Sequence, residues 1–425
     1  MYARFSGART EIAALVPGQS ATIAGRAVAQ GPQGLALRDA SGLIPIATQA
    51  NDINPGALVA VHGQLNAAGE AFVADSTTVL VAPLVPVALP RTLPIKALVA
   101  RDQMNRTIRD FFHQQGFIEV ETPNLVPSPG TDVHLEAFKT HFTGMGQVDA
   151  AHLYLHTSPE FQMKRLLVAG MEKIFQICKV YRNGEWTAAH NPEFSMIEWY
   201  RAYADYGPIM DDVEALVRRV LGGGMLEVGA VSVDLDAPFE RLTVQEAFVR
   251  HANGLDILEA DTAQKLRQEA SARGLGELSE GGDWEDLFHE LMLTHIEPHL
   301  GHQWPTFLVD YPRALAVLSR VKDDNPAVAE RFELYIAGVE LCNGFTELND
   351  PIEQRARFAE DLQRRVQLGY DPYPMPEGFL SALEEGMPPS GGVAVGLDRL
   401  LMLKLGIDEI GQSLLRAVPG PPDEE

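Results

Sequence analysis

The first 85 residues alternate small apolar and polar side chains, and turn signals interrupt the alternation at short intervals. The two longest stretches of this kind are SATIAGRAVAQGPQGLALRDASGLIPIAT and GALVAVHGQLNAAGEAFVADSTTVLVA. The dipeptides Gly31-Pro32 and Pro55-Gly56 separate what this period-two pattern predicts to be about five short strands. A small β-barrel of the OB type fits this length, and a β-sandwich is the alternative.

A different pattern begins at about residue 91. KALVARDQMNRTIRDFFHQQGF has apolar residues at helical spacing up to Gly116, and a predicted strand, FIEVETP, follows and stops at Pro123. The strand-like stretches LYLHTSP, KIFQICKVYR and FSMIEWYRAY alternate with helical patterns at 208–221 and 284–296. This order predicts an α+β fold in which helices flank an antiparallel sheet.

Two apolar segments near the C-terminus each surround a glycine. RFELYIAGVELCNGF and GGVAVGLDRLLMLKLG are predicted to be strands, and the second passes into a helix after Asp398. We therefore predict a barrel at 1–85, a linker at 86–94 and a catalytic domain at 95–425. The acidic, proline-rich end, PGPPDEE, is predicted to be disordered, and about 222–300 carries no recognisable motif.

Composition narrows the class of protein. The chain has 425 residues, of which 46% are hydrophobic, enough for a large core in two domains. The formal net charge is −24 and no basic run occurs, so a nucleic-acid partner has to be argued from a local site. No apolar run reaches the roughly 20 residues of a membrane span, and the N-terminus lacks a secretory pattern. With only Cys178 and Cys342, we predict a cytoplasmic protein with two buried thiols.

Common nucleotide and metal motifs are absent from the sequence. It contains no Gly-Lys pair, G-x-G-x-x-G, H-E-x-x-H or C-x-x-C. Arg182 and Arg399 each adjoin a predicted strand. A guanidinium at such a position could bind phosphate oxygens in a bidentate manner. Glu333 and Glu340 are seven apart, so they share a strand face only if a bulge at Gly338 resets the alternation. They could then bind Mg²⁺; otherwise all four side chains are ordinary surface charges.

Three segments together resemble one family. FIEVETP, YRNGE with HNPEFSMIEWY, and GVAVGLDR are similar, in this order, to motifs 1, 2 and 3 of class II aminoacyl-tRNA synthetases. HNPEFSMIEWYRAYADY and ELCNGFTELND resemble lysyl-tRNA synthetase. TDVHLEAFKTHF and TSPEFQMKRLLVAG are more similar to its paralogue, the elongation factor P–(R)-β-lysine ligase. The resemblance covers about residues 95–415.

The resemblance implies a role for each motif residue in ATP binding. Arg182 would grip the α-phosphate and the substrate carboxylate, and Arg399 would clamp the γ-phosphate. His190 and Asn191 would hold a bent triphosphate, and Phe194 would stack on adenine. The metal ligands would be Glu333 and Glu340, with Glu340 also part of the ATP site. The implied reaction is attack of a carboxylate on the α-phosphorus, with Arg182 and Arg399 as the catalytic residues.

The resemblance also implies an amino-acid pocket, formed by Glu160, Glu198, Tyr200, Asn343, Phe345, Glu347 and Ala394. Burying three carboxylates around one small molecule is costly unless cationic groups neutralise them. A diamino acid brings two ammonium groups, so lysine or an isomer of lysine fits, whereas aspartate does not.

The sequence departs from the family pattern at two of these positions. Motif 2 normally has Arg-x-Glu, whereas here Arg182 is followed by Asn183 and Gly184, with Glu185 one place later. Whether Glu185 replaces the missing carboxylate is left open. Ala394 stands where lysyl-tRNA synthetases typically have glycine and β-lysine ligases have alanine, and one methyl group can change which isomer is well placed.

The barrel separates the hypotheses about the acceptor. The β-lysine ligases of the resemblance lack an anticodon-binding domain, whereas OB barrels commonly stack bases on aromatic side chains above a basic groove. No aromatic residue lies between Phe5 and Phe72, and residues 1–90 hold four arginines and five acids, which favours a packing or protein-docking role. The first hypothesis is therefore transfer to elongation factor P. The alternatives are a lysine–tRNA ligase and an inactive binding or regulatory module; a homodimer built on motif 1 is expected.

Overall fold

The structure, a computed structural model, describes residues 8–30, 34–48, 53–82, 94–142 and 152–414. The chain divides into two compact units, residues 1–102 and 103–425, with the boundary inside the first long helix. The predicted domain boundaries at 1–85, 86–94 and 95–425 stay a prediction. Most of the predicted linker and the acidic tail from residue 415 onward lie outside the described residues.

The first five strands close into a barrel in the order β1-β2-β3-β5-β4. They are β1 Ser20–Gln30, β2 Gly34–Arg38, β3 Leu43–Ala47, β4 Leu58–Leu65 and β5 Phe72–Val81. Alternate side chains point inward along each strand, so Ile23, Val61 and Phe72 are fully buried in the barrel core. The prediction of a small OB-type barrel is confirmed. The sandwich alternative is wrong, because β1 pairs with both β2 and β4 and the sheet closes on itself.

A large, mainly antiparallel sheet forms the centre of the second unit. The remaining strands are β6 Ile118–Glu119, β7 Leu125–Val126, β8 Lys139–His141, β9 His152–Leu155, β10 Lys173–Tyr181, β11 Glu193–Ala202, β12 Met225–Val228, β13 Val231–Asp234, β14 Glu240–Thr243, β15 Thr306–Pro312, β16 Val328–Ile336, β17 Val339–Thr346 and β18 Ser390–Gly396. Across the described residues the large sheet has the order β14-β15-β16-β17-β18-β11-β10-β6. Only its two outermost pairs are parallel. The predicted antiparallel sheet flanked by helices is confirmed.

Within the described residues, helices lie at all four predicted positions, and sequence reasoning missed five others. The helices are α1 Ile95–Gln114, α2 Glu160–Val168, α3 Tyr206–Leu221, α4 Val244–His251, α5 Ala263–Ala272, α6 Trp284–Leu291, α7 Pro351–Gln367, α8 Glu377–Gly386 and α9 Leu397–Leu405. The ring of Phe112 on α1 stacks on Phe175 of β10 at 4.9 Å, which fixes this helix against the sheet. The predicted helix at 284–296 is α6 followed by a π-helical turn, Met292–Ile296.

The segment RFELYIAGVELCNGF is a hairpin, so the expectation of one strand with a bulge at Gly338 is wrong. Ala337 and Gly338 have φ values of 52° and 76°, and positive φ at both central residues is what a two-residue I′ hairpin turn requires. The bulge lies in β17 instead. There Leu334 pairs with Cys342 and Tyr335 with Glu340, which leaves Leu341 without a partner in the ladder.

The stretch without a recognisable motif, about 222–300, packs in an apolar core that it shares with β15 and β16. Helices α4, α5 and α6 bury Phe248, Leu266, Leu287 and Phe288 completely or almost so. The same stretch contributes the edge strand β14 to the large sheet. It is therefore a segment that folds onto one end of the sheet.

Three other expectations have a structural outcome. The predicted strand FIEVETP is shorter than expected, because only Ile118–Glu119 pairs with β10. Cys342 is buried and Cys178 is half-buried, and burial raises the pKa of both thiols. In the described part of the chain, no helix has the length and apolar character needed to cross a membrane.

Candidate active site

The register of the large sheet brings the predicted site residues into two rows on one face. In the first row, Glu198 pairs with Ala394, which pairs with Asn343, which pairs with Glu333. In the second row, two residues further along each strand, the order is Tyr200, Gly392, Phe345 and Arg331. Directly paired residues of antiparallel strands project to the same side of a sheet. Residues almost 200 positions apart therefore form one surface.

A cavity of about 210 Å³ lies over these rows. It is lined by every residue that was predicted for the amino-acid pocket, namely Glu160, Glu198, Tyr200, Asn343, Phe345, Glu347 and Ala394. Gly392 allows Glu347 and Tyr200 to lie close to the backbone of β18, since a Cβ at this position would lie 2.4 Å from Glu347 Oε1 and from the Tyr200 ring. The structure thus brings the whole predicted set together.

Two carboxylates of this cavity are deeply buried. Glu198 and Glu347 are each 1% exposed. Ser158 Oγ and the Tyr200 hydroxyl donate hydrogen bonds of 2.7 and 2.9 Å to Glu198. Burial, together with the charge of Glu160, nevertheless raises the pKa of Glu198 to about 7, and burial also raises the pKa of Glu347. A cationic ligand would stabilise the ionised form of these buried carboxylates.

A second cavity, of about 290 Å³, adjoins the first. It is lined by all of the residues that were predicted for ATP, namely Arg182, His190, Asn191, Phe194, Glu340 and Arg399. Arg182, Asn343 and Ala394 line both cavities. Two ligands bound side by side would therefore meet next to Arg182.

Contacts within the second cavity hold its cationic groups in place. Arg399 Nη1 donates to the carbonyl oxygen of Glu340 at 2.7 Å, and Arg399 Nη2 lies 2.9 Å from His190 Nε2. Burial and the Arg399 charge lower the pKa of His190, which favours the neutral imidazole, the form that can accept a hydrogen bond from Arg399. The guanidinium carbon of Arg182 lies 5.1 Å from the centre of the Phe194 ring.

Glu185, the displaced motif 2 carboxylate, faces the same cavity. Its Oε1 lies 3.6 Å from Arg182 Nη1, and its buried Oε2 has no hydrogen-bond partner within the described residues. Glu185 is therefore placed where a carboxylate could contact a ligand of this cavity.

The two predicted metal ligands lie on the same face, because the bulge in β17 compensates for their odd spacing. Glu340 pairs with Tyr335, whose hydroxyl donates to Glu333 Oε2 at 2.7 Å. Burial, and next the negative charge of the nearby Glu333, raises the pKa of Glu340. Among the described residues, no three His, Cys, Asp or Glu side chains form a preformed metal cluster. A pair of carboxylates nevertheless fits Mg²⁺, which commonly takes one or two carboxylates, waters and phosphate oxygens.

Sequence reasoning missed three charged side chains around the two cavities. Glu297, from the segment at about 222–300, has its pKa raised to about 7 by burial and by the nearby Glu333 and Glu340. Arg331 donates to Glu333 Oε1 at 2.8 Å and to the Leu315 carbonyl oxygen at 2.9 Å. The third, Lys164, is completely buried beside the first cavity. A signal was available only for Lys164, which follows Glu160 by one helical turn.

Comparison with known proteins agrees with this geometry. Residues 89–415 match the family of tRNA synthetases class II (D, K and N). The elongation factor P–(R)-β-lysine ligase of Edwardsiella ictaluri is 41% identical over 326 residues, which cover 76% of this chain and 96% of that protein. The protein of the same name from Vibrio cholerae is 41% identical over 331 residues, or 78% and 97% of the two chains. These matches, together with the fold, show that the chain belongs to the class II tRNA synthetases of the D, K and N type.

Proposed function

We propose that this protein activates lysine or β-lysine with ATP and transfers it to a lysine side chain of elongation factor P. The observation that carries the proposal is the 41% identity to elongation factor P–(R)-β-lysine ligases over almost their entire length. The paired cavities support it, because one is acidic and the other presents arginine and histidine.

The proposed chemistry has two steps. In the first, a carboxylate oxygen of the amino acid attacks the α-phosphorus of ATP, and pyrophosphate leaves. In the second, the neutral amine of the acceptor lysine attacks the carbonyl carbon of the adenylate and a C–N bond forms. AMP leaves with the electrons of the C–O bond, and the new amide nitrogen loses one proton to solvent. Alignment of the reacting groups and neutralisation of developing charge would supply most of the rate.

We assign the residues roles that fit this chemistry. Arg182, which lines both cavities, would hold the α-phosphate and the substrate carboxylate, and Arg399 would hold the γ-phosphate. His190 and Asn191 would position the triphosphate, and adenine would stack on Phe194. Mg²⁺, when bound, would supply positive charge that neutralises the phosphate groups. Its protein ligands would be Glu333 and Glu340.

The choice of lysine isomer is assigned to Ala394. This residue lies between Glu198 and Asn343 in the sheet register and lines both cavities. Its methyl group would narrow the site beside the substrate backbone, and a shift of about 1 Å in the reacting carboxylate changes the rate substantially. We therefore propose β-lysine as the preferred isomer.

A lysine–tRNA ligase is the second candidate, and the N-terminal barrel is the observation that favours it. An OB-type barrel is a common single-strand binding fold. Against this, the family match begins at residue 89, after the barrel, and the barrel sequence has no aromatic residue between Phe5 and Phe72. The third candidate, an inactive module, is disfavoured because Arg182, Glu340 and Arg399 are all present.

One competition experiment distinguishes the three candidates. The protein is incubated with ATP, Mg²⁺ and labelled α- or β-lysine in the presence of both elongation factor P and tRNA. We expect label in the protein fraction, with β-lysine preferred. RNase-sensitive label would instead establish the tRNA ligase, and the absence of any lysine-dependent ATP–pyrophosphate exchange would favour the inactive module.

We also propose a cytoplasmic homodimer that uses Mg²⁺. The exposed Ile118 of β6 lies at the outer edge of the large sheet, within the segment that resembles motif 1. Such an exposed edge and apolar side chain are suited to pairing with a second copy.

A further inference from the structure

A lysine lies behind the wall of the amino-acid cavity. Lys164 of α2 is completely buried, and the cavity lining includes its partners but not Lys164 itself. Its ammonium group lies 2.6 Å from Glu160 Oε1 and also contacts Glu347 Oε2. The rings of Phe345 and Phe379 lie 5.2 and 5.9 Å from the same nitrogen.

These contacts keep a buried lysine charged. Burial favours the neutral amine, but the nearby charges of Glu160 and Glu347 outweigh it, so the pKa of Lys164 is raised. Glu160 is on the same helix, one turn earlier, whereas Glu347 directly follows β17. The ammonium group therefore joins two elements that both contribute to the cavity wall.

The ion pairs also determine which carboxylate oxygens remain available. Lys164 contacts Glu347 Oε2, while the buried Oε1 of the same carboxylate accepts no hydrogen bond within the described residues. A buried acceptor without a partner is costly, so this oxygen is suited to a donor on the ligand. Glu160, Glu198 and Glu347 together with Lys164 leave two negative charges when all are ionised.

We propose that Lys164 is a positioning and specificity-determining residue, an internal counter-ion that orients Glu160 and Glu347 and limits the site to ligands with two ammonium groups. The inference rests on the proposed function, since it takes a diamino acid as the substrate. It holds whichever acceptor receives that amino acid. Lys164 does not contact the reacting atoms and acts through the two carboxylates.

The test is the pH dependence of substrate affinity in Lys164→Met, a substitution that keeps most of the side-chain volume. Without the ammonium group, Glu347 would ionise at least about one pH unit higher. We expect KM for the lysine isomer, from ATP–pyrophosphate exchange, to rise about tenfold at pH 7 and to approach the wild-type value near pH 9. The KM for ATP should not change.

A matched control is Lys322→Met, which removes a partly buried lysine that pairs with Asp310 at 2.8 Å and lines neither cavity. Its pH profile should match the wild type. Lys164→Ala adds a second readout, because ethylammonium should fill the space and restore exchange in the variant, whereas it should only inhibit the wild type.

The outcomes separate the inference from the proposed function. The inference is overturned if Lys164→Met raises the KM for the lysine isomer equally at all pH values and ethylammonium does not rescue Lys164→Ala. Such a result would show a merely structural role for Lys164. A wild type that shows no exchange with any lysine isomer would overturn the proposed function, and the inference with it.

Discussion

At the residue scale, the carboxylates of the amino-acid cavity determine what it can bind. Glu198 and Glu347 are each 1% exposed, and their free energy is lowered either by a proton or by a cationic ligand. Because the same oxygens would accept the proton and the substrate ammonium, protonation and substrate binding compete.

This competition predicts the pH dependence of substrate affinity. Burial and the Glu160 charge raise the pKa of Glu198 to about 7, and only the ionised form attracts an ammonium group. The KM for the lysine isomer should therefore rise by up to about tenfold per pH unit as the pH falls below about 7. ATP–pyrophosphate exchange between pH 5.5 and 9 measures this. A flat profile, or a slope below pH 7 that Glu198→Gln leaves unchanged, would contradict the assignment.

Removing one carboxylate charge should abolish recognition of the substrate side chain. Glu347→Gln keeps the shape of the cavity but replaces a charge-assisted hydrogen bond by a neutral one. We expect lysine-dependent exchange to fall by about 100-fold or more, with KM for ATP retained. The control is Glu377→Gln. Glu377 is an exposed residue of α8 that pairs with Arg355, and the variant should have wild-type activity. Unchanged exchange in Glu347→Gln would contradict the proposed pocket.

At the scale of elements, the close approach of β18 to its neighbours shapes the cavity. Gly392→Ala would place a methyl group against Glu347 Oε1 and the Tyr200 ring, each 2.4 Å away. We expect loss of lysine binding by calorimetry and a loss of unfolding free energy of about 1–3 kcal/mol. Gly378→Ala in α8 is the control, since its Cβ would meet no atom within 4 Å and a helix favours alanine. Retained lysine affinity in Gly392→Ala would contradict this placement.

A loop before β8 is held over both cavities by one buried arginine of α7. Arg365 Nη1 donates to the carbonyl oxygens of Asp132 and Leu135 at 2.8 and 3.0 Å, and Nη2 donates to Glu136 Oε1 at 2.6 Å. The carbonyl oxygen of Glu136 accepts from Asn183 N, directly after Arg182. Asp132 and Leu135 line both cavities, so this loop links α7 to motif 2.

Loss of that arginine should misplace the loop. Arg365→Met leaves several carbonyl groups without a donor, and we expect a loss of about 3 kcal/mol in unfolding free energy, measured in urea. In the molecules that remain folded, kcat/KM for exchange should fall about 100-fold, because reacting groups shift by roughly 1 Å. Arg355→Met, on the same helix, removes an exposed ion pair and should cost less than about 1 kcal/mol. Wild-type activity in Arg365→Met would show that the loop needs no such support.

At the scale of the whole molecule, the chain is strongly acidic, with a formal net charge of −24. Such a charge disfavours non-specific contact with a phosphate backbone and does not prevent two copies from associating through an apolar patch. The exposed edge of the large sheet at β6 is the surface that we expect to do so.

The homodimer can be tested by its mass. One chain has a mass of 46.5 kDa, so light scattering at micromolar concentration should give twice that value. Ile118→Lys, at the exposed edge, should weaken the dimer because a charge would be buried at the interface. Val366→Lys, an exposed apolar position on α7, is the control and should leave the mass unchanged. A monomeric wild type would contradict the prediction.

The sequence by itself predicted many of the local elements and the residues that line the two cavities. Period-two and helical patterns predicted the barrel, the strands β10 and β11, and helix α3, because these patterns follow from which side of one element faces the core. Motif residues such as Arg182 and Glu347 could be assigned by resemblance, because each motif is continuous in the chain.

Only the tertiary structure decided which charges meet. The register across β16, β17, β18 and β11 places Glu333, Asn343 and Glu198 in one row, and the bulge in β17 turns Glu340 toward Glu333. Lys164 pairs with Glu347 although 183 positions separate them. Periodicity carries no information about such contacts, because the energy of a buried ion pair depends on distances between elements and not on the spacing within any one of them.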